Sequence, residues 1–212
     1  MPVTYSGGNR QDRTIVESRL VAVEGADDQY LVGVIANQLE LTLQVHQMQG
    51  KEEWGAKIEL LTRTEGFDQV RRFGLVRDAD LDSAAAFASV AQALRNARLT
   101  APTEQLSLTA GNPQTAIYIV TAPGANSGEL EDLCLSAIEG EVGYSCIQPY
   151  LDCASAQGRV LPGKLSKAKL HAYIAVSRLP GARLREAALA NIIPIGSSSF
   201  DRLTSLMRSI CQ

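Results

Sequence analysis

The sequence predicts an α/β fold: a mainly parallel sheet of four strands, flanked by helices and followed by a helical C-terminal extension. Three observations carry that expectation. Short apolar runs of strand length recur along the first part of the chain. Between them lie segments in which apolar residues recur at helical spacing. The resulting order of strand, helix, strand, helix is the pattern of parallel strands joined by right-handed crossovers.

The elements follow in order. Residues 1–17 are polar and glycine-rich and are expected to form a loosely tethered arm. Leu20-Val21-Ala22-Val23 is apolar throughout, as suits a strand buried on both faces, and it stops at Glu24-Gly25. Asp27 or Asp28 can cap the next helix, in which Tyr30, Leu31, Val34, Ile35 and Leu39 recur at helical spacing. Leu41 to Met48 alternates apolar and polar residues and gives the second strand. Gly50 interrupts the chain, and Glu52 to Thr64 forms the second helix. Phe73-Gly74-Leu75-Val76 is the third strand and runs into Arg77-Asp78-Ala79-Asp80. Asp82 caps an alanine-rich amphipathic helix from Ser83 to Ala97. A loop with Gly111, Asn112 and Pro113 leads to the fourth strand, Ala116 to Val120. A flexible loop from Pro123 to Gly128 precedes a short helix, Leu130 to Ala137. The remainder reads as helices near Ile147–Ala156, Ser166–Val176, Leu184–Ala190 and Phe200–Ile210. Gly158 and Pro162-Gly163 divide an α/β domain, 18–158, from an extension, 159–212, expected to pack on it.

Composition bounds the function. The 212 residues are 45% apolar and 20% charged, a globular balance with no apolar run long enough for a membrane span. The first 20 residues lack the apolar core of a signal peptide. Cys134, Cys146, Cys153 and Cys211 form no CxxC pair and are expected as reduced, mostly buried thiols of a cytoplasmic protein. The net charge of −3 hides a split. Residues 1–158 hold 11 basic against 21 acidic residues, a balance of −10; residues 159–212 hold 9 against 2, a balance of +7. An acidic front and a basic back suit a protein that holds cations with one part and phosphates with the other.

The acids fall where a parallel sheet binds ligands, beyond the carboxyl ends of its strands. Glu24 closes the first strand, Asp78 and Asp80 close the third, and Glu129, Glu131 and Asp132 follow the fourth. The first and third strands are expected as neighbours, so these carboxylates can converge. An extended Asp78-x-Asp80 places both carboxylates on one side, and Glu24 and Asp28 bracket the strand-to-helix turn. Crowded carboxylates repel one another and are relieved by divalent cations; an all-oxygen set favours Mg²⁺ or Mn²⁺ over zinc.

The spacing resembles a known family. Strand-Glu24-Gly25, followed some fifty residues later by strand-Asp78-x-Asp80, is similar to the Toprim domain of bacterial primases, topoisomerases and small ribonucleases. That resemblance implies a Rossmann-like sheet. Asp28, four residues after Glu24, and the segment Glu129-Leu130-Glu131-Asp132 resemble the overcoming-lysogenisation-defect (OLD) nucleases more closely. The whole chain, with Ser166-Lys167-Ala168-Lys169-Leu170-His171, is similar to a stand-alone bacterial Toprim-like family of about this length. It departs from the OLD pattern in two ways: Glu129 replaces an aspartate, and no ATPase domain is present in the sequence.

The resemblance implies Mg²⁺- or Mn²⁺-dependent phosphodiester hydrolysis with one or two ions. The metal ligands it implies are Glu24, Asp28, Asp78, Asp80, Glu129 and Glu131, with Glu24 among the catalytic residues. A lysine after the acidic segment serves catalysis in the OLD nucleases, and Lys167 or Lys169 can correspond. In helical phase Lys169 shares a face with Leu165, Ala172, Tyr173 and Val176, whereas Lys167 sides with Lys164 and His171. Arg71, Arg72 and Arg77 flank the third strand within reach of phosphates. His46 reads as a packed or surface histidine, and Cys134 as a buried thiol.

The expected partners are nucleic acid, DNA rather than RNA, a separate ATPase in defence or repair, and a second copy of the chain; no membrane is expected. A non-catalytic Toprim binding module is the alternative. Nucleotidyl transfer, as in primases, leaves too little chain for template binding. A glycosyltransferase using Asp78-x-Asp80 leaves Glu24 and Glu131 unexplained. No P-loop, GxGxxG, Gly-x-Ser-x-Gly or zinc spacing occurs.

Overall fold

The computed structural model describes residues 3–8, 14–49 and 53–212. The strands are β1 (Thr4–Gly7), β2 (Arg19–Val23), β3 (Gln44–Gln47), β4 (Arg72–Asp78) and β5 (Gln114–Val120). They form one parallel sheet in the order β1-β3-β2-β4-β5. The helices are α1 (Ala26–Gln38), α2 (Trp54–Thr62), α3 (Ser83–Asn96), α4 (Leu130–Ala137), α5 (Ile147–Ala156), α6 (Leu165–Ala175), α7 (Leu184–Leu189) and α8 (Asp201–Cys211).

Alternation within the strands makes both faces of the sheet apolar, so both must be covered. Leu20, Ala22, Phe73, Leu75, Ile117 and Ile119 pack with α2 and α3. Val21, Val23, Val76, Ala116, Tyr118 and Val120 pack with α1, α4, α6, α7 and α8 on the other side. The chain runs from β2 out to β3 and then crosses back past β2 to β4. This reversal places the switch point of the sheet between β2 and β4, where open α/β sheets bind ligands.

The sheet has five strands rather than four, because part of the predicted arm is β1. Buried amides tie it down, and they are invisible to a hydrophobic pattern. Gln29 Nε2 donates to the Ser6 and Val45 carbonyls at 2.8 and 2.9 Å. Gln44 Nε2 donates to Ser6 Oγ at 2.6 Å and the Thr14 carbonyl at 2.9 Å, while its Oε1 accepts from Val16 N at 2.8 Å. Residues 9–13 of the arm lie outside the described residues, as do the predicted Gly50 break and Glu52 helix start. The strand β3 is shorter than its alternating pattern, because Leu41 to Leu43 precede the parallel ladder.

Tyr5 lies over α1 at Gly33, with its ring 6.2 Å from that of Tyr30. A Cβ at Gly33 would stand 2.1 Å from Tyr5 Oη, so Gly33→Ala must displace that ring. The overpacking outweighs the helix propensity gained, and a net loss of about 1–2 kcal/mol is expected. Hydrogen exchange accelerated at Thr4–Gly7, with a lower melting temperature, would register it; unchanged exchange would rule it out.

The C-terminal extension shares the core. Phe200, Leu203, Leu206, Met207 and Ile210 are fully buried. The helix α8 lies across β2, β4 and β5 and comes close at Gly74, where a Cβ would meet Ile210 Cγ1 at 3.1 Å and push that side chain back. Among the described residues no helix is long and apolar enough to cross a membrane. None of the four cysteines is in a disulfide: Cys134 is buried and Cys211 half-buried, but Cys146 and Cys153 are exposed. The expectation of mostly buried thiols is corrected for those two, since α5 lies at the margin and buries only Ile147 and Leu151.

Candidate functional site

Glu24 follows the last residue of β2 and is 6% exposed; Asp78 is the last residue of β4. The two strands pair in parallel, Val23 beside Val76, so both acids emerge at the switch point. Beyond β5, the start of α4 adds Glu129 and Glu131, each 8% exposed. Glu24, Asp28, Asp78, Glu129 and Glu131 line one cleft of about 710 Å³, together with Lys164, Lys167 and His171.

Local chemistry fixes these positions. Gly25, rather than Asp27 or Asp28, is the N-cap of α1; Asp28, in the first turn, accepts its N–H at 2.6 Å. The same device starts α4, where Glu129 N–H donates to Asp132 Oδ2 at 2.8 Å. Asp78 Oδ1 accepts the Leu130 N–H at 3.1 Å and fastens the end of β4 to α4. Asp82 caps α3 through the Ala84 and Ala85 N–H groups.

The predicted extended run through Asp80 is corrected. The strand ends at Asp78, and Asp80 adopts a left-handed conformation, φ +53°. Its backbone exchanges hydrogen bonds of 3.0 and 3.1 Å with Gly128. Gly128 must be glycine: its φ is +145°, and a Cβ there would lie 2.2 Å from Ala122 N.

Two lysines of the basic extension close the cleft. Lys164 Nζ bridges Asp80 Oδ1 at 2.7 Å and Glu129 Oε2 at 2.8 Å. Lys167 Nζ pairs with Glu131 Oε1 at 3.1 Å and lies 4.0 Å from Asp27. Ser166 Oγ donates to Asp132 Oδ1 at 2.5 Å and anchors the start of α6. Burial pulls the Lys167 ammonium down, but Glu131 beside it, with Asp27 and Glu129, outweighs burial and raises it.

Crowding shows at Asp28. Part of this residue keeps contact with solvent, yet burial of its carboxyl pushes the group up from 3.8 to about 7. The Gly25 hydrogen bond opposes the rise, and Glu24, Glu131 and Asp27 add to it. A carboxyl raised in the folded state favours folding while protonated and costs stability as pH climbs from about 4 to about 7. Asp28→Asn is therefore expected to stabilise the metal-free chain at pH 8, on the order of 1 kcal/mol, and to bring no gain below pH 4. Thermal melts in chelator at both pH values test this; equal effects at the two would refute it. The Cys134 thiol is held far above its ordinary value by burial, with Glu131 and Asp28 adding, so it stays neutral.

Of the predicted site residues, Glu24, Asp28, Asp78, Glu129, Glu131 and Lys167 line the cleft. Asp80 joins it through Lys164. Lys169 does not line it, because it stands two residues and about 200° round α6 from Lys167. Lys164 takes the place that Lys169 was expected to share, and its common face with Lys167 and His171 was the signal for it. Arg71 and Arg72 lie at the start of β4, the opposite edge of the sheet. Arg77 turns to the α2–α3 side, 5.6 Å from the centre of the Trp54 ring and 3.1 Å from Ser89 Oγ. His46 Nδ1 pairs with Ser6 Oγ at 3.0 Å. Among the described residues no three acidic, histidine or cysteine groups are arranged to hold a metal ion as they stand.

Residues 18–212 match the model of a family described as a protein of unknown function (DUF3226). No curated protein and no solved structure matches the chain.

Proposed function

The chain belongs to the DUF3226 family, and from the site it carries we propose that it is a Mg²⁺- or Mn²⁺-dependent nuclease on a Toprim-type scaffold. One observation supports this above the others: acids from the ends of β2 and β4 and the start of α4 meet at the switch point of a parallel sheet. The donor set fits the ion. It is all oxygen, three of its glutamates are nearly buried, and burial, with the neighbouring acids adding to it, destabilises Asp28 as an anion. Glu24, Asp28, Asp78, Glu129 and Glu131 would hold the metal, with Asp80 at the rim.

A divalent ion held there would supply Lewis acidity for phosphodiester hydrolysis. The chain's own residues do the rest. Glu24, Glu129 and Glu131 keep dense negative charge at one spot, which selects for a cation. Lys164 and Lys167 balance that charge in its absence. Were the acids to hold an ion instead, the two ammonium groups would turn to the phosphate oxygens of a substrate.

A binding module without catalysis is the second reading. It is favoured by the pairing of Lys164 and Lys167 with the acids, which gives the cluster internal counter-charges. Incubation with plasmid, single-stranded DNA and RNA in Mg²⁺ or Mn²⁺ separates the two. Cleavage abolished by chelator is expected; no cleavage of any substrate would favour the binding module.

A further inference from the structure

The acidic cleft opens into two further hollows. The first, about 500 Å³, shares Asp27 and His171 with the cleft. The next, about 420 Å³, shares Gly181, Ala182 and Arg183 with the first and adds Arg178. Through these shared residues the three hollows succeed one another along the surface as a groove. It follows one side of α6, from Lys164 before its first turn to Ala175 in its last, and continues onto the turn before α7. That side of α6 spans roughly 16 Å at 1.5 Å per residue, enough for several phosphates.

Charge changes sign along the groove. The cleft end is rich in carboxylates, whereas the far end carries Arg178 and Arg183, both exposed. The one acid there, Glu186, is engaged by the Arg183 backbone N–H at 2.7 Å. Arg178 spends one N–H on the Ala190 carbonyl, which orients the guanidinium, and the exposed side chain keeps further N–H donors. Leu179, 42% exposed in the same hollow, offers an apolar surface to a base.

We propose that this groove is the path of a single nucleic-acid strand, its phosphates running from the cleft along α6 to Arg178 and Arg183. The inference rests on the nuclease reading for what occupies the cleft end. Hollows of about 500 and 420 Å³ suit one flexible strand rather than a paired duplex.

The test is fluorescence anisotropy of a labelled 20-nucleotide single strand on the full chain, in chelator so that no hydrolysis is needed. Arg178→Ala/Arg183→Ala is expected to weaken binding about tenfold at low salt. The slope of log affinity against log salt should flatten by about 1.4, near 0.7 per phosphate contact. Arg95→Ala/Arg98→Ala removes equal charge from two exposed positions, in the last turn of α3 and just past its end, and should change little. Equal losses in the two variants, or no loss in the first, would overturn the groove. So would a duplex of the same length showing the same arginine dependence. Hydrolysis of bis(p-nitrophenyl) phosphate in Mn²⁺ by the unaltered chain reads the chemistry of the cleft separately; its absence, with arginine-dependent strand binding intact, would remove the nuclease reading and leave the groove.

Discussion

Asp78→Asn/Asp80→Asn is expected to lower phosphodiester hydrolysis by about a thousand-fold or more, about 4 kcal/mol of transition-state stabilisation. The two positions do separate work. Asp78 ends β4 beside Glu24 and also accepts the Leu130 N–H, so alanine there would remove a charge and a cap together. Losing such an acceptor costs about 1 kcal/mol on its own. Asp80 stands at φ +53°, where alanine is strained and asparagine is tolerated. Asparagine at both positions therefore removes the charges while keeping the fold, and the melting temperature should move little. Mn²⁺ affinity, read by calorimetry, should fall with activity. Hydrolysis surviving in a folded double variant would remove these aspartates from the chemistry.

The second large effect is on stability. Phe200→Ala, just before α8, is expected to cost about 3–5 kcal/mol, the range for a fully buried phenylalanine. In a chain of this size that lowers the melting temperature by roughly 6–20 °C. The reason lies in where Phe200 packs: its cluster joins α8 to α4 and to the same sheet face that carries β2 and β4. Destabilisation should therefore be global, with activity and far-ultraviolet dichroism lost in one transition. A separate early transition confined to the C-terminal helices would show that the extension folds independently.

The sequence made the central layers legible because buried parallel strands are short and uniformly apolar. Leu20–Val23, Phe73–Val76 and Ala116–Val120 all stand in the sheet, and the acids after them reach one edge. What it hid were features carried by polar atoms. The strand β1 is held by Gln29 and Gln44, two residues whose buried amides replace the apolar pattern expected of a strand. Asp80 leaves the extended path because Gly128, forty-eight residues later, pairs with its backbone. Lys164 is recruited by Asp80 and Glu129, which only the fold brings together. Each of these depends on distant partners that local periodicity does not encode.

The packing of α8 on β2 has a kinetic consequence. It joins segments roughly 180 residues apart, and contacts of such separation form late, after the loop between them has been closed at an entropic cost. The lysines that neutralise the acidic edge also come after every strand in the chain. A chain emerging from synthesis thus presents the acids of β2 and β4 before their internal counter-charges exist. Divalent ions present during refolding should then raise its rate, by screening repulsion among those acids while α6 and its lysines are still undocked.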